Sequence, residues 1–174
     1  TERLADMFNA VNAILATHGL FGNMFTFIDA SSIITKTALW EERDKAIKAG
    51  EEKLNNLNVK KYAADTEARW GAKSKTNIWF GYKRHEAVDM RYGLIQKLSV
   101  TPANVPDFKA VKNICPKQGM VFMDKGYDYK ESDQWVKANG CLPATLRKNN
   151  NRQKNHDLDR WRSGIRMPFE STFS

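Results

Sequence analysis

Apolar and polar residues alternate with two different periods along this 174-residue chain. Apolar side chains that recur every three or four positions predict amphipathic helices at residues 2–18, 107–114, 130–139 and 157–174. Segments rich in apolar and β-branched residues predict strands at residues 23–34, 77–89, 93–103, 119–124 and 141–148. The first helix is expected to bury one apolar face. In the last one, Pro168 either kinks the helix or begins a new one.

A charged segment separates the first two predicted strands. Glu, Lys and Asn dominate residues 39–58, which predicts a surface helix or a partly ordered insertion. A hairpin-rich run of strands, followed by strands that alternate with helices, predicts an α/β fold with a mixed sheet flanked by helices. We therefore expect an N-terminal helix at residues 1–22 and one domain at residues 23–174, with the insertion at about 38–76.

Three acidic residues occupy notable positions in this pattern. Asp29 lies within the first predicted strand, Asp124 ends the fourth, and Glu170 lies in the last predicted helix. If the first and fourth strands are neighbours, the two aspartates become neighbours, and a helix packed across that end supplies Glu170. Three convergent carboxylates cannot all stay ionised in a dry pocket without cations. Mg²⁺ or Mn²⁺ fits such a site, because both ions prefer oxygen ligands and bind phosphates.

Taken singly, each acid also fits a structural role. A strand-end aspartate is often a turn or cap residue, and a glutamate on a helix face is usually solvated. Asp128 and Asp133 are expected to be turn or helix-cap residues. Asp65 is expected to cap a loop rather than to act as an auxiliary acid, and His85 is expected to line a surface rather than to contact DNA.

The net charge of +8 indicates an anionic partner. Nucleic acid is the expected one, because phosphates are the densest fixed negative charge in a cell. A membrane is disfavoured, since no stretch approaches the roughly 20 apolar residues of a spanning helix. Cys115 and Cys141 have no metal-ligand spacing and imply no disulfide framework, which fits a reducing cytoplasm.

Positive charge is concentrated in two segments without acids, residues 68–84 and 134–156. Lysines and arginines interleaved with aromatic residues suit phosphate contacts and base stacking. The alternative is a solvated face, and the tryptophans are expected to lie mainly in the core. The candidate DNA-binding residues are Lys73, Lys75, Lys83, Arg84, Arg147, Lys148, Arg152 and Lys154.

Three acidic segments together resemble a known family. "FIDASSI" around Asp29, "MDKGYD" around Asp124 and "RSGIRMPFES" around Glu170 resemble the acidic motifs of bacterial insertion-sequence transposases of the DDE class. Residues 65–89 and 93–107 resemble the family's region between its first two acids. The resemblance implies a ribonuclease-H-like catalytic domain in which these three acids bind Mg²⁺ or Mn²⁺, and which cuts and joins double-stranded DNA at transposon ends and target sites.

The family signature around the third acid is tyrosine, two residues, arginine, three residues, glutamate, six residues, lysine. Arg166 and Glu170 match it, Ser163 occupies the tyrosine position, and the lysine position lies beyond residue 174. Arg166 is expected to bind a DNA phosphate or to orient Glu170.

The resemblance also implies a bacterial cytoplasmic, nucleoid-associated protein, with a homodimer on DNA as one expected state. The chain begins without Met, so we expect a fragment of a longer protein. Two alternatives are a truncated, non-catalytic DNA-binding remnant of a transposase and a general ribonuclease-H-like nuclease.

Overall fold

Residues 2–36 and 38–169 are described by a computed structural model of the chain. Its α-helices are α1 (Glu2–Thr17), α2 (Trp40–Lys48), α3 (Val59–Tyr62), α4 (Val111–Ile114), α5 (Lys130–Ala138) and α6 (His156–Arg166). Two short 3-10 turns, Asp107–Ala110 and Lys125–Tyr127, precede α4 and α5. No helix within these residues combines the length and the apolar character needed to cross a membrane.

Six strands form one mixed sheet. They are β1 (Phe25–Ile34), β2 (Arg69–Ala72), β3 (Ile78–Asp89), β4 (Ile95–Pro102), β5 (Met120–Met123) and β6 (Leu142–Thr145). The strand order is β2-β3-β1-β5-β6, and β4 also pairs with β3. The pairs β1–β5 and β5–β6 are parallel, whereas β2–β3 is antiparallel. The predicted α/β class, a mixed sheet flanked by helices, is confirmed.

The chain divides into two compact units. Unit 1 comprises Thr1–Asp29, Glu86–Ser99 and Asp107–Ser174, and unit 2 comprises Ala30–His85 and Val100–Pro106. Asp29 and Asp124, the strands β5 and β6 and the helices α4 to α6 all fall within unit 1.

Unit 1 has a hydrophobic cluster on each face of the sheet. On one face, Ile28 and Met123 join residues of α4 and α5, among them Ile114 and Val136. On the other face, Phe27 and Phe122 form a second cluster, against which Ile165 and Phe169 pack. Because successive strand residues point to opposite faces, the paired strands β1 and β5 supply side chains to both clusters. Burial on both faces explains why these strands are continuous apolar runs.

Gly119 allows β5 to start close to the segment that precedes β1. Its φ of +90° lies in a region that other residues rarely adopt, and a Cβ at this position would lie 2.4 Å from the Asn23 carbonyl oxygen. The next residue, Met120, donates its backbone N–H to the Met24 carbonyl oxygen at 2.8 Å. This close approach begins the parallel β1–β5 ladder.

Asp89 fixes the turn between β3 and β4. Its carboxylate is fully buried and accepts backbone N–H groups from Gly22 at 2.8 Å, Arg91 at 3.1 Å and Tyr92 at 2.9 Å. Gly93, with φ of +68°, closes the same turn. One buried acid therefore holds both the hairpin and the chain segment that enters β1.

Unit 2 has its own small core, which includes a strand that the sequence pattern did not predict. Val59, Ala68 and Phe80 are buried together, and Trp70 of β2 packs against them. Trp70 is also paired with Phe80 in the β2–β3 ladder, with ring centres 5.4 Å apart. The four-residue strand β2 is thus stabilised mainly by its partner strand.

Two predicted helices differ from the structure. Leu4, Met7, Val11 and Ile14 on the apolar side of α1 are more than half exposed, so the expectation that this face is buried was wrong. The last α-helix ends at Arg166, and residues 167–169 form a 3-10 turn at Pro168, the residue at which a kink or a new helix was expected. The rest of that predicted helix, residues 170–174, lies outside the described residues. The ring of Pro168 is incompatible with a continued α-helix, because its nitrogen has no hydrogen to donate.

Candidate active site

Asp29 and Asp124 occupy equivalent positions on adjacent parallel strands. The β1–β5 register pairs Ile28 with Met123, and each aspartate is the next residue along its strand. The strand pairing that the sequence argument required is therefore present. Asp124 directly follows β5, whereas β1 continues beyond Asp29 to Ile34, so the two acids lie where the parallel β1–β5 pairing ends. The carboxyl end of a parallel strand is a common place for ligand sites in α/β folds. Both residues are only partly buried there.

The two aspartates share the sheet face on which α6 packs. Alternation along a strand places Asp29 on the same side as Phe27, and Asp124 on the same side as Phe122. Trp161 of α6 contacts that face, with its ring centre 5.9 Å from the ring centre of Phe122. A helix thus crosses the face that carries both acids.

Two contacts fasten α6 to the carboxyl end of the neighbouring strand β6. Arg162 donates from Nη1 to the Thr145 carbonyl oxygen at 2.9 Å, and Asp159 accepts the backbone N–H of Arg147 at 3.4 Å. The helix begins with Asn155, whose side chain accepts the first free backbone N–H groups. The cap fixes where the helix begins, and the contacts of Asp159 and Arg162 fix its position relative to the end of β6.

Arg166 connects the last turn of α6 to Asp124. Its Nη1 donates to Asp124 Oδ1 at 3.0 Å, and its guanidinium carbon lies 5.2 Å from the centre of the Phe27 ring. The arginine side chain is 11% exposed and the aspartate side chain 48% exposed. The carboxylate is thus partly neutralised on its protein side and open to solvent on the other.

Tyr127 is buried close to the two aspartates, and three acids affect the pKa of its phenol. Burial raises the pKa of its phenol well above the usual range, and the negative charges of Asp107, Asp29 and Asp124 raise it further. Asp107 also lies close to the turn after β5, since a Cβ at Gly126 would be 3.8 Å from Asp107 Oδ2. Sequence reasoning did not single out Asp107 or Tyr127, although both lie inside segments that carry the family resemblance.

Two of the three proposed metal ligands, Asp29 and Asp124, lie among the described residues, and their carboxylates suit a hard divalent cation. Two adjacent carboxylates supply the oxygen ligands that Mg²⁺ and Mn²⁺ prefer. Glu170, the predicted third acid, lies outside the described residues, four positions after Arg166 in the sequence. Among residues 2–36 and 38–169, no group of three or more His, Cys, Asp or Glu residues could hold a metal ion.

Comparison with known proteins decides the family. A model of the family described as "Transposase DDE domain" matches residues 21–169. The chain belongs to this DDE transposase family. It is also 29% identical over 151 residues to the transposase for insertion sequence element IS1106 of Neisseria meningitidis serogroup B. That alignment covers 84% of the chain and 51% of the relative, so the chain spans about half the length of that transposase. No solved structure gives a significant match.

In this DDE domain, Arg147 is held by two acids. Its Nη1 donates to Asp128 and its Nη2 to Asp133, both at 2.8 Å. Asp128 also accepts the Lys148 backbone N–H at 2.8 Å and the Asn151 amide at 2.8 and 3.0 Å. Asp128 lies in the turn between Lys125–Tyr127 and α5, where a turn residue was expected, and Asp133 lies in the first turn of α5. Neither is a helix N-cap, because Tyr129 is the N-cap of α5 and no side chain caps it. Both acids instead anchor the loop after β6.

The pKa of Asp128 follows from this anchoring. Burial alone would raise it, but the hydrogen bonds from Lys148, Asn151 and Arg147 outweigh burial and lower the pKa below its usual value. The carboxylate therefore stays ionised, as its partners require. Arg147, proposed from the sequence as a DNA contact, already has its guanidinium engaged on two sides.

The other candidate DNA-binding residues differ in how exposed their side chains are and in whether they already contact other protein groups. Lys73 and Lys75 are exposed around the turn between β2 and β3, and Arg152 is exposed in the loop before α6. Lys148 lies with its Nζ 3.8 Å from the centre of the Tyr129 ring. The others make defined contacts or are partly buried: Lys83 donates to the Val105 carbonyl oxygen, Lys154 donates to Asn149, and Arg84 is half-buried.

Two further expectations within unit 2 can be compared with the structure. Asp65 caps a loop as expected, because its Oδ1 accepts the backbone N–H groups of Glu67 and Ala68 and the Tyr82 hydroxyl. His85 does not line a surface. It is fully buried in β3 with Nε2 2.8 Å from Thr101 Oγ1, so that expectation was wrong.

Proposed function

We propose that this chain is the ribonuclease-H-like catalytic domain of an insertion-sequence transposase, and that it cuts and joins DNA with the help of Mg²⁺ or Mn²⁺. The observation that supports this proposal best is the adjacent placement of Asp29 and Asp124, each directly after the last residue of the β1–β5 pairing, in a chain of the DDE transposase family. The substrates proposed are double-stranded transposon ends and target DNA in the bacterial cytoplasm. Because two ends must be brought together, a homodimer on DNA is part of the proposal.

The reaction has two steps. In the first, a water oxygen bonds to the phosphorus at the element's end and the 3′ oxygen leaves as a hydroxyl. In the second, that hydroxyl attacks a target phosphodiester and displaces its 3′ oxygen. Bound divalent ions supply activation of the attacking oxygen and stabilisation of the leaving oxygen. Asp29, Asp124 and Glu170 are the residues proposed to hold them.

The other residues bind and orient. Asp29 and Asp124 are attached to paired strands, so the spacing of their backbones is fixed. Arg166 holds one oxygen of Asp124 and leaves the carboxylate half exposed towards solvent. We propose that Arg166 also contacts a DNA phosphate or orients Glu170. The exposed Lys73, Lys75 and Arg152 are proposed to contact the DNA backbone without sequence preference.

The test replaces each aspartate by asparagine, which keeps the side-chain size and removes the charge. We expect Asp29→Asn and Asp124→Asn to abolish Mg²⁺-dependent nicking of duplexes that carry the ends of the encoding element. Losses of at least about a thousandfold are expected, because ligands of the reacting ions act as a unit. Asp157→Asn is the matched control, since Asp157 is an exposed aspartate of unit 1. Cleavage by either variant at near wild-type rate refutes the assignment.

The same assay separates the alternatives. A general nuclease cuts scrambled duplexes as well as element ends and performs no strand transfer. A non-catalytic remnant binds DNA without nicking it under any divalent condition. A transposase domain prefers element ends and joins the cut strand to a target duplex.

A further inference from the structure

Unit 2 contains a pocket that the proposed chemistry does not use. Its volume is about 270 Å³. Its lining comes from the start of α2, the loop before α3 and strand β2, namely Ala38, Leu39, Trp40, Arg43, Lys53, Leu54 and Trp70. All of these residues belong to unit 2. Three aliphatic side chains, two indole rings and two cations form the wall, and no acid contributes to it.

Trp40 is the unusual member of this set. Its side chain is 63% exposed, although large aromatic residues are normally well buried. The guanidinium carbon of Arg43 lies 4.6 Å from the centre of the Trp40 ring, which places a positive charge beside the aromatic surface. Arg43 also pairs with Asp44 at 3.3 Å, but both partners are about half exposed. Such an exposed pair contributes little and is readily exchanged for another anion.

The chemistry of the wall indicates the kind of ligand. A flat indole surface favours a flat, uncharged ring, because stacking requires only a π-face. The adjacent Arg43 and Lys53 favour an anion next to that ring. A nucleotide within a strand has both parts, a base and a phosphate. Unit 2 as a whole contains twelve lysines and arginines and seven aspartates and glutamates, an excess that adds a general attraction for nucleic acid.

We propose that this pocket binds an unstacked base of single-stranded DNA, with the base against Trp40 and its phosphate beside Arg43 and Lys53. This inference rests on the proposed function, because a domain that cuts DNA creates strand ends, at which base pairs fray and expose unpaired bases. Stacking contacts the face of the unpaired base and not its hydrogen-bonding edge. The pocket is therefore expected to show little preference for one base over another.

The test measures binding of the full chain to two labelled probes by fluorescence anisotropy, in EDTA so that no cleavage occurs. One probe is a short oligothymidylate, and the other is an abasic oligomer of the same length and charge. The wild-type chain should bind oligothymidylate about tenfold more tightly than the abasic oligomer, since stacking of one base contributes roughly that factor. Equal binding of the two probes overturns the proposal.

Variants of the pocket residues test whether the preference for oligothymidylate arises in this pocket. Trp40→Leu should remove the preference for oligothymidylate while leaving abasic binding unchanged. Lys53→Gln should weaken binding of both probes and reduce the slope of affinity against salt by about one. Leu57→Ala is the control, because Leu57 is 94% exposed in unit 2 and does not line the pocket. A preference retained by Trp40→Leu, or lost equally in Leu57→Ala, rejects the pocket as the base site.

Two readouts keep this result separate from the catalytic proposal. A thermal melt checks that Trp40→Leu folds, and quenching of wild-type tryptophan emission by oligothymidylate but not by the abasic oligomer gives a signal that needs no variant. Failure to quench counts against the pocket. The binding assay contains no divalent ion and therefore does not depend on catalysis. If the chain binds bases through Trp40 but never cuts DNA, the base-binding proposal stands and the catalytic proposal is refuted.

Discussion

Replacing Asp128 by alanine is expected to destabilise the fold strongly, although this residue is outside the proposed set of metal ligands. Its side chain is 4% exposed and accepts hydrogen bonds from three groups: the guanidinium of Arg147, the backbone N–H of Lys148 and the amide of Asn151. Alanine leaves all three donors without this acceptor. The loop that follows β6, at the same sheet edge as the aspartates, then loses its anchor.

The size of the effect follows from these contacts. Removing one member of a buried ion pair costs about 3–5 kcal/mol. Arg147 keeps its second partner, Asp133, at 2.8 Å, which reduces the penalty towards the lower end of that range. We therefore expect a loss of about 3 kcal/mol in the free energy of unfolding. In a domain of this length, each kcal/mol corresponds to roughly 2–4 °C in melting temperature, so the midpoint should fall by about 6–12 °C.

Urea denaturation of wild type and variant, followed by circular dichroism, measures this difference directly. The control is Asp157→Ala, because Asp157 is 92% exposed and lies 3.7 Å from the equally exposed Arg160. The control should lose less than about 1 kcal/mol. If Asp128→Ala loses no more than the control does, the three contacts do not anchor the loop and the reasoning is wrong.

The pH dependence provides an independent check on the same residue. Although burial alone raises the pKa of Asp128, its hydrogen bonds bring the folded-state pKa below the usual value. Its stabilising contribution is therefore fully present above the unfolded pKa of about 3.9 and is lost as the pH falls through the folded pKa. The stability difference between wild type and Asp128→Asn should shrink as the pH is lowered below about 4. A difference that stays constant into strong acid contradicts the assignment.

Two further predictions concern other carboxylates of unit 1. Asp89→Ala should cost at least about 3 kcal/mol in urea denaturation, since it leaves three backbone N–H groups without their buried acceptor, and Asp89→Asn should restore part of the loss. Arg166→Gln should destabilise the metal-free chain by about 1 kcal/mol, because the carboxylate it binds on Asp124 is half exposed. The same variant should show a larger thermal shift on addition of Mg²⁺, since a competing cation has been removed. A loss below 1 kcal/mol for Asp89→Ala, or an unchanged Mg²⁺ shift for Arg166→Gln, contradicts these expectations.

The strands that carry the two aspartates were predictable because each is an apolar run interrupted or ended by an acid. That these two strands are neighbours in the sheet had to be assumed, since strand order is a tertiary property that local sequence patterns do not encode. The structure supplies it through the register of Ile28 with Met123. The placement of Glu170 stays a prediction.

The short strand β2 was not predictable from its own residues. Arg69–Ala72 contains one large apolar residue and has no alternating pattern. It forms a strand because Trp70 pairs with Phe80, and because Gly71 admits the backbone of Ala103, whose carbonyl oxygen would lie 2.6 Å from a Cβ at this position. Both causes come from residues distant in sequence.

Charge and burial were the properties that sequence patterns predicted least well. Arg147 counts as a free cation in a list of residues, but Asp128 and Asp133 bind it in the fold. His85 is surrounded by charged residues in sequence and yet is fully buried, because β3 is buried at consecutive positions near its end. A charged neighbourhood along the chain does not show which faces of a strand are covered.

The pairing of β1 with β5 has a consequence during protein synthesis. About 95 residues separate the paired positions Phe25 and Met120, so the ladder cannot close until most of the polypeptide has left the ribosome. A prematurely terminated product that stops before β5 contains Asp29 but not Asp124. Under the proposed chemistry such a product lacks half of the strand-borne acid pair, so an interrupted translation product is expected not to cut DNA.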